Sequence, residues 1–413
     1  MIILFRDIKE LLQVRPKPIS LVAGKLMKEL PTIKNAYLVV KDGKIADFGS
    51  MNNCPLEQMD RVIEADGKMV LPTWCDSHTH LVYAGNREEE FVLRIKGLTY
   101  TEIAQQGGGI LHSAKKLAES TEEELYQQAS IRLKEVIQLG TGAIEIKSGY
   151  GLMPDAELKM LRVIKRLKKN YPIPIKSTLL AAHAIPTQYK DNKAAYLKLL
   201  ISELIPEVAK KQLAEYIDVF CEKDYFSIEE TKSILEAGRS YGLIPKIHVN
   251  QFTAIGGVQV GVKYDALSVD HLELMRPEDI QVLKGSLTMP VTLPGCSFFI
   301  GIPYSPARTM IDAGLPLALA SDYNPGSSPS GNMNFVISMA CIKMKMTPEE
   351  AINAATINAA YAMGLEKEVG SITVGKRANL ILTKRINAYS FLPYSFGTNH
   401  IDNIYVNGSE YNP

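Results

Sequence analysis

The chain has 413 residues, 46% apolar and 22% charged, with a formal net charge of +1. This is enough apolar material for a large buried core, and the balance of charge excludes a long-range field that would draw nucleic acid or a membrane surface. No apolar run is long enough to span a bilayer, MIILFRDIKELLQ is broken by Arg6, Asp7 and Lys9 and reads against a signal peptide, and five scattered cysteines without CxxC spacing fit a reducing cytoplasm.

The first element is β. NAYLVVKDGKIADFG alternates around Asp42-Gly43 and predicts a hairpin. Near the C-terminus, GSITVGKRANLILTK and IDNIYVNG read the same way, so the two ends are expected to build one small β domain around an inserted middle. The middle alternates strands with helices. One helix starts at Ser120-Thr121, with Glu123 and Glu124 as in a capping box, repeats Leu125, Ala129, Leu133 and Val136-Ile137, and closes at Gly140. Another starts at Thr347-Pro348-Glu349-Glu350 and runs toward Gly364. Eight strand candidates stand out: MVLPTWCDSHTH, GAIEIKSGYG, IKSTLLAAHA, YIDVFCE, LIPKIHVNQ, YDALSVDHLE, TMPVTLPG and LPLALASDYNPG. Most are separated by helix-length segments, which predicts an α/β fold with a parallel (β/α)8 TIM-type barrel.

In that fold the active site gathers at the C-terminal ends of the strands. The first strand ends in His78-x-His80, a spacing that turns both imidazoles to one face. The second runs into Lys147-Ser148-Gly149-Tyr150, the third ends at His183 and the fourth at Glu222. His248 ends the fifth, Asp270-His271 the sixth, Pro294-Gly295 the seventh and Asp322 the eighth. Five of the seven histidines thus share one topological position, whereas incidental core histidines would scatter. Imidazoles with a carboxylate suit Zn²⁺ or Fe²⁺. An open position on such an ion lowers the pKa of bound water to about 7, and a neighbouring carboxylate can move its proton. No cysteine lies at these strand ends and no GxSxG elbow is present.

At these residues the chain resembles the metal-dependent amidohydrolase superfamily, over its whole length, through LPTWCDSHTH, His248, His271, ALASDYNPG and the closing GSITVGKRANLIL. AGNREEEF, IEIKSGYGL, LLAAHAIP, VFCEK, VDHLE and SDYNPGSSP, in that order, resemble the branch that opens an imidazolone ring in histidine degradation. The resemblance implies a β-sandwich from residues 1–70 and 365–413 around a barrel of residues 71–364. It implies His78, His80, His248 and Asp322 as ligands of one divalent metal ion, Zn²⁺ or Fe²⁺. Glu222 stands where a two-metal branch has a carboxylated lysine, with Lys223 one position on. The implied substrate is a small molecule with a carboxylate tail, 4-imidazolone-5-propanoate, hydrolysed to N-formimino-L-glutamate. Arg87 would hold the tail, a role that suits a guanidinium, against the plainer reading of a surface arginine paired with Glu88 to Glu90. Tyr150 and His183 would contact the ring, and Asn324, Gly326 and Ser327 would supply hydrogen bonds to substrate or product.

His271 and Asp322 compete as general base. The family often has an acid three residues after the metal histidine. Here the string is His248-Val249-Asn250-Gln251, and an amide does not titrate, so Gln251 is expected to be a substrate contact only. A nucleobase deaminase or another cyclic-amide hydrolase is the alternative enzyme, and an inactive barrel acting as a binding protein the remote one. A homodimer is the family expectation. QQGGGILHSAKK (Gln105 to Lys116), with Gly107 to Gly109, reads as a loop near the mouth that could cover the site or face solvent. His112 and His400 read as structural or surface residues, and the MACIKMKM stretch as helix core with surface lysines.

Overall fold

In the computed structural model of the chain, residues 1–55, 59–98, 102–103 and 108–412 are described. Five strands come first: β1 (Ile2–Leu12), β2 (Thr32–Lys41), β3 (Lys44–Ser50), β4 (Arg61–Glu64) and β5 (Met69–Pro72). The β2–β3 turn is the expected Asp42-Gly43, with φ of 50° and 80° at the two residues, the mirror-image turn that suits twisted hairpins. Eight barrel strands follow: β6 (Trp74–Thr79), β7 (Thr141–Lys147), β8 (Ile175–Ala182), β9 (Tyr216–Cys221), β10 (Ile244–Val249), β11 (Ser268–His271), β12 (Met289–Thr292) and β13 (Ala318–Leu319). The last three, β14 (Leu380–Thr383), β15 (Ile401–Val406) and β16 (Ser409–Glu410), return to the first sheet.

β6 to β13 pair in parallel, each with its neighbour in sequence. A parallel bridge between Thr79 and Tyr323 joins the end of the first barrel strand to the chain leaving the eighth. All eight expected strands are present. The run MVLPTWCDSHTH, however, is two strands and not one. Met69 and Val70 pair with β1, and Val70 to Pro72 pair with β14. The chain crosses to the barrel at Thr73, just after Pro72, which has no N–H to continue a ladder. Strand order in the end sheet is β16-β15-β14-β5-β1-β2-β3, with β4 also on β1, so both chain ends share one sheet.

Alternation decides which core each residue serves. Val70, Leu380 and Leu382 join a cluster internal to the end sheet, with Phe5, Ile8, Leu38 and Tyr405. Their neighbours Met69, Leu71 and Ile381 face the barrel helices and join the main core. The helix Glu122–Gln138 has the expected capping box, Thr121 with Glu124, and buries Leu125, Ala129, Leu133, Val136 and Ile137. The helix capped by Thr347 ends at Ala355, earlier than expected, and a second helix covers Ile357–Ala362. The break is at Thr356 (ψ −88°), whose hydroxyl donates to the Ile352 carbonyl at 2.5 Å and accepts from Gln13. Among the described residues no helix is long and apolar enough to cross a membrane.

The expected loop at Gln105 to Lys116 is corrected in part. Residues 105–107 lie outside the described residues, so closure of a Gly107 to Gly109 loop has no structural account. From Ile110 to Glu119 the chain is helical, because Ile110, Ser113 and Leu117 fall on one buried stripe. In the MACIKMKM stretch, Met339, Met344 and Met346 are buried and Lys343 and Lys345 exposed, as expected.

Candidate active site

His78 and His80 leave β6 on the face that also carries Asp76, and all three side chains are buried. Asp76 accepts from the backbone N–H and hydroxyl of Ser321, which ties β6 to the segment carrying Asp322. Asp322 Oδ1 lies 3.5 Å from His78 Nε2 and 3.6 Å from His80 Nε2. The His248 ring is 4.4 Å from that of His78, and the His271 ring 5.3 Å from that of His248. Alternation alone would turn Asp270 and His271 to opposite faces. His271 closes β11 with φ of 88°, outside the ordinary strand region, and both residues reach the cluster.

Among the described residues three triads emerge: His78 with His80 and Asp322, His78 with His248 and His271, and His271 with Glu273 and Cys296. Within each, the ligating atoms lie within 4.8 Å of one another. The four expected metal ligands therefore converge, with His271 against them. His78 Nε2 and His248 Nε2 are buried without a hydrogen-bond partner. Unsatisfied buried imidazole nitrogens are costly, and a divalent cation satisfies them. The residues fit a metal ion, and N/O donors of this kind are the set Zn²⁺ and Fe²⁺ accept.

Beneath the cluster is a layer in which Lys147 and Asp270, named at strand ends, meet Glu145, Asp218 and Lys246, which strand-end reading does not reach. His78 Nδ1 donates to Asp270 at 2.6 Å, which directs its Nε2 lone pair toward the cluster. His248 Nδ1 stands 3.0 Å from Asp218, close in distance but poorly aligned for a full hydrogen bond. Lys147 donates to Glu145 at 2.6 Å and Asp218 at 2.8 Å, and lies 3.7 Å from Asp270. Lys246 donates to Glu145 and to the Ser77 and Ala362 carbonyls. These lysines and acids are fully buried. Burial disfavours charge on Lys147, but Asp218, Glu145 and Asp270 outweigh it and raise its pKa. Asp218 is lowered because His248 and Lys147 outweigh its own burial.

Above the cluster opens a cavity. Every expected site residue lines it except His78, which lies beneath, and Gly326. His183 stacks on His80 with centroids 5.2 Å apart, and Tyr150 lies 5.5 Å from His183. His183 Nδ1 donates to the Gly149 carbonyl at 3.0 Å, leaving Nε2 as the acceptor. Burial lowers its pKa to about 4. Ile110, Phe220 and Phe252 complete the wall. Their sequence signal was weak, since Phe220 reads as one more apolar strand residue.

Arg87 is not a surface residue. It is 6% exposed and donates through Nε and Nη2 to Glu90 at 2.9 and 2.6 Å. The plainer reading was right that Arg87 pairs with an acid of this run and wrong about its exposure. Glu90 also accepts from the Gly109 N–H at 3.1 Å and faces His112 Nδ1 at 3.4 Å, so His112 has a partner the sequence did not suggest. His400 is buried against Phe391, as a structural residue. A Cβ at Gly326 would lie 2.0 Å from Arg87 Nη1, so only glycine admits the guanidinium there. The N–H groups of Gly326 and Ser327 donate to Asn324 Oδ1, both at 2.8 Å, and Asn324 Nδ2 donates to the Asp322 carbonyl. These groups brace the loop behind Asp322.

Glu222 is a clamp. Its carboxylate accepts from the N–H groups of Gln251, Phe252 and Thr253 at 3.0, 2.9 and 2.8 Å. Lys223 is exposed and outside the cluster. Gln251 Nε2 donates to Cys296 Sγ at 3.2 Å. Burial disfavours charge on His271, but Glu273 and Cys296 outweigh it and raise its pKa well above the ordinary value. Burial raises Asp322 to about 6 against the opposing pull of His271.

The amidohydrolase family model matches residues 69–410. Imidazolonepropionases of Flavobacterium johnsoniae and Christiangramia forsetii are 66% and 65% identical over 408 residues, 99% of each chain. Among solved structures, Escherichia coli guanine deaminase superposes with a TM-score of 0.76 at 14% identity, covering 99% of both chains. A zinc-bound adenosine deaminase from Xanthomonas campestris gives 0.73 at 14% identity, covering 99% of this chain and 92% of that one. At such identity these two structures speak to fold alone.

Proposed function

The chain belongs to the amidohydrolase family, and we propose that it adds water across the ring C–N amide bond of 4-imidazolone-5-propanoate, the imidazolonepropionase reaction, giving N-formimino-L-glutamate. Relatives of that name, alike over nearly the whole chain, support this reading. The observation that carries it is the cavity itself, lined at once by bare histidine nitrogens, a carboxylate and a buried arginine. A neutral nucleobase has no carboxylate to meet Arg87, which favours the imidazolone over the deaminase alternative.

His78, His80, His248 and Asp322 would hold one divalent ion, Zn²⁺ or Fe²⁺. Bound there, the ion supplies a water whose pKa is lowered to about 7. Lys223 points away from a second, lysine-bridged ion by its exposure. Arg87, fixed by Glu90, takes the propanoate tail and thereby sets the ring's position. Tyr150 and His183 meet the ring, and His183 Nε2 accepts a ring N–H. Asp322 takes the proton of the attacking water as its oxygen joins the ring carbonyl carbon. His271, held protonated beside Glu273, stabilises the negative charge growing on the carbonyl oxygen. The C–N bond breaks and Asp322 returns the proton to the leaving nitrogen. Gln251 serves as a hydrogen-bonding wall and carries no proton.

The test is an assay of metal-replete protein with 4-imidazolone-5-propanoate, following loss of the ring chromophore. Saturable turnover is expected. No turnover there, with turnover of another cyclic amide, overturns the substrate and leaves the family.

A further inference from the structure

The ring-facing wall of the cavity stands on a buried carboxylate that touches no part of the reaction. Glu157 is fully buried in the first turn of the helix Pro154–Asn170. One oxygen accepts from the N–H groups of Gly151 and Leu152, both at 2.7 Å, and each oxygen lies 3.2 Å from the Gly149 N. Three backbone donors of Gly149 to Leu152 therefore close on one side chain. Leu152 sits at φ of 59°, a conformation costly for a branched residue unless its surroundings hold it. The segment carries Tyr150 into the cavity, and its Gly149 carbonyl fixes His183 through Nδ1 at 3.0 Å. Glu222 does the same on the opposite loop, where its three backbone donors hold Gln251 and Phe252.

We propose that Glu157 is a positioning residue for substrate binding: by gathering the N–H groups of Gly149, Gly151 and Leu152 it aims Tyr150 and sets the His183 tautomer that accepts from the ring. This rests on the imidazolone reading above. Charge-assisted hydrogen bonds to a buried carboxylate are the strong kind, and an amide in its place would turn an N–H donor toward backbone donors. Glu157 acts only through its own loop, as Glu222 acts only through the other.

The experiment is a pair of crossed double-mutant cycles on metal-loaded protein. Glu157→Gln is expected to raise KM roughly tenfold with a smaller change in kcat. Combined with Tyr150→Phe, its effect should fall short of the product of the single effects by about threefold or more. Combined with Gln251→Ala, the effects should multiply. Glu222→Gln should show the reverse pattern, coupling to Gln251 and not to Tyr150. Effects that multiply in every pair, or equal coupling of Glu157 to both sites, would overturn the proposal as mere loss of stability. Nitrogen NMR of the unmodified protein adds a second readout, independent of whether Glu157→Gln folds. A His183 proton on Nδ1 is expected, and a proton on Nε2 overturns the proposal. If the unmodified enzyme fails to turn over 4-imidazolone-5-propanoate, the function falls, and the NMR result still judges the His183 tautomer on which the proposal depends.

Discussion

The two halves of the cavity are built differently. His78, His80, His248 and His271 project from the last residues of barrel strands or just beyond them. They rest on a floor of buried lysines and carboxylates that also belongs to strands, Glu145 and Lys147 on β7, Asp218 on β9 and Lys246 on β10. The substrate half is made of loops. Arg87, Tyr150, Gln251 and Asn324 each lie on a segment pinned by a polar side chain: Glu90, Glu157, Glu222 and Asn324 itself. One half takes its precision from the β-ladder. The other needs a hydrogen-bonding anchor for every loop. Substitutions in the first should act on the metal ion and the chemical step, and substitutions in the second on substrate affinity.

The sharpest break in that division would come from His271. His271→Ala is expected to lower kcat by about 10²- to 10⁴-fold while elemental analysis finds the ion retained. Loss of the ion would make His271 a ligand, alongside His78 and His248 in its triad. The same residue sets a pH signature. The proposed mechanism requires Asp322 ionised and His271 protonated. With Asp322 raised to about 6 in the free site, and a bound cation lowering it, the acid limb of kcat/KM falls at or below that value. Activity is lost again as pH rises through the His271 pKa, which Glu273 raises and the bound cation opposes. A single-limbed profile would show that one of the two is not used.

Asp270→Asn probes the floor. It should leave KM nearly unchanged and weaken metal affinity by about 10- to 100-fold, because Asp270 orients His78 without contacting substrate. Chelator competition measures it, and an unchanged affinity would detach the floor from the ion. Gly326→Ala probes the loops with the smallest change of atoms. The added methyl displaces Arg87, so KM should rise roughly tenfold or more through a weakened carboxylate contact, with metal content intact. An unaltered KM would remove Arg87 from tail recognition.

The same division explains what the sequence reveals. Strand ends are legible because alternation and barrel topology place residues by counting. His78-x-His80, His248 and the eight strands are readable for that reason, and capping at Thr121 and Thr347 is local chemistry. Asp218 and Lys246 read as interior strand residues, since side chains that meet across the barrel from unpaired strands make their network. Glu157 reads as an acid in a first helical turn, which is a surface role more often than not. Only the path of Gly149 to Leu152 across that turn makes it a clamp. The split at Thr73 was hidden because both of its strands are apolar and contiguous.

The central claim is that water enters at the ring carbonyl carbon and the ring opens at the adjacent C–N bond. Turnover of 4-imidazolone-5-propanoate in ¹⁸O-enriched water, with the product fragmented by mass spectrometry, tests it directly. One labelled oxygen in the carboxylate formed from the ring carbonyl is the predicted result. Label on the one-carbon unit between the ring nitrogens, or release of ammonia, would contradict the account.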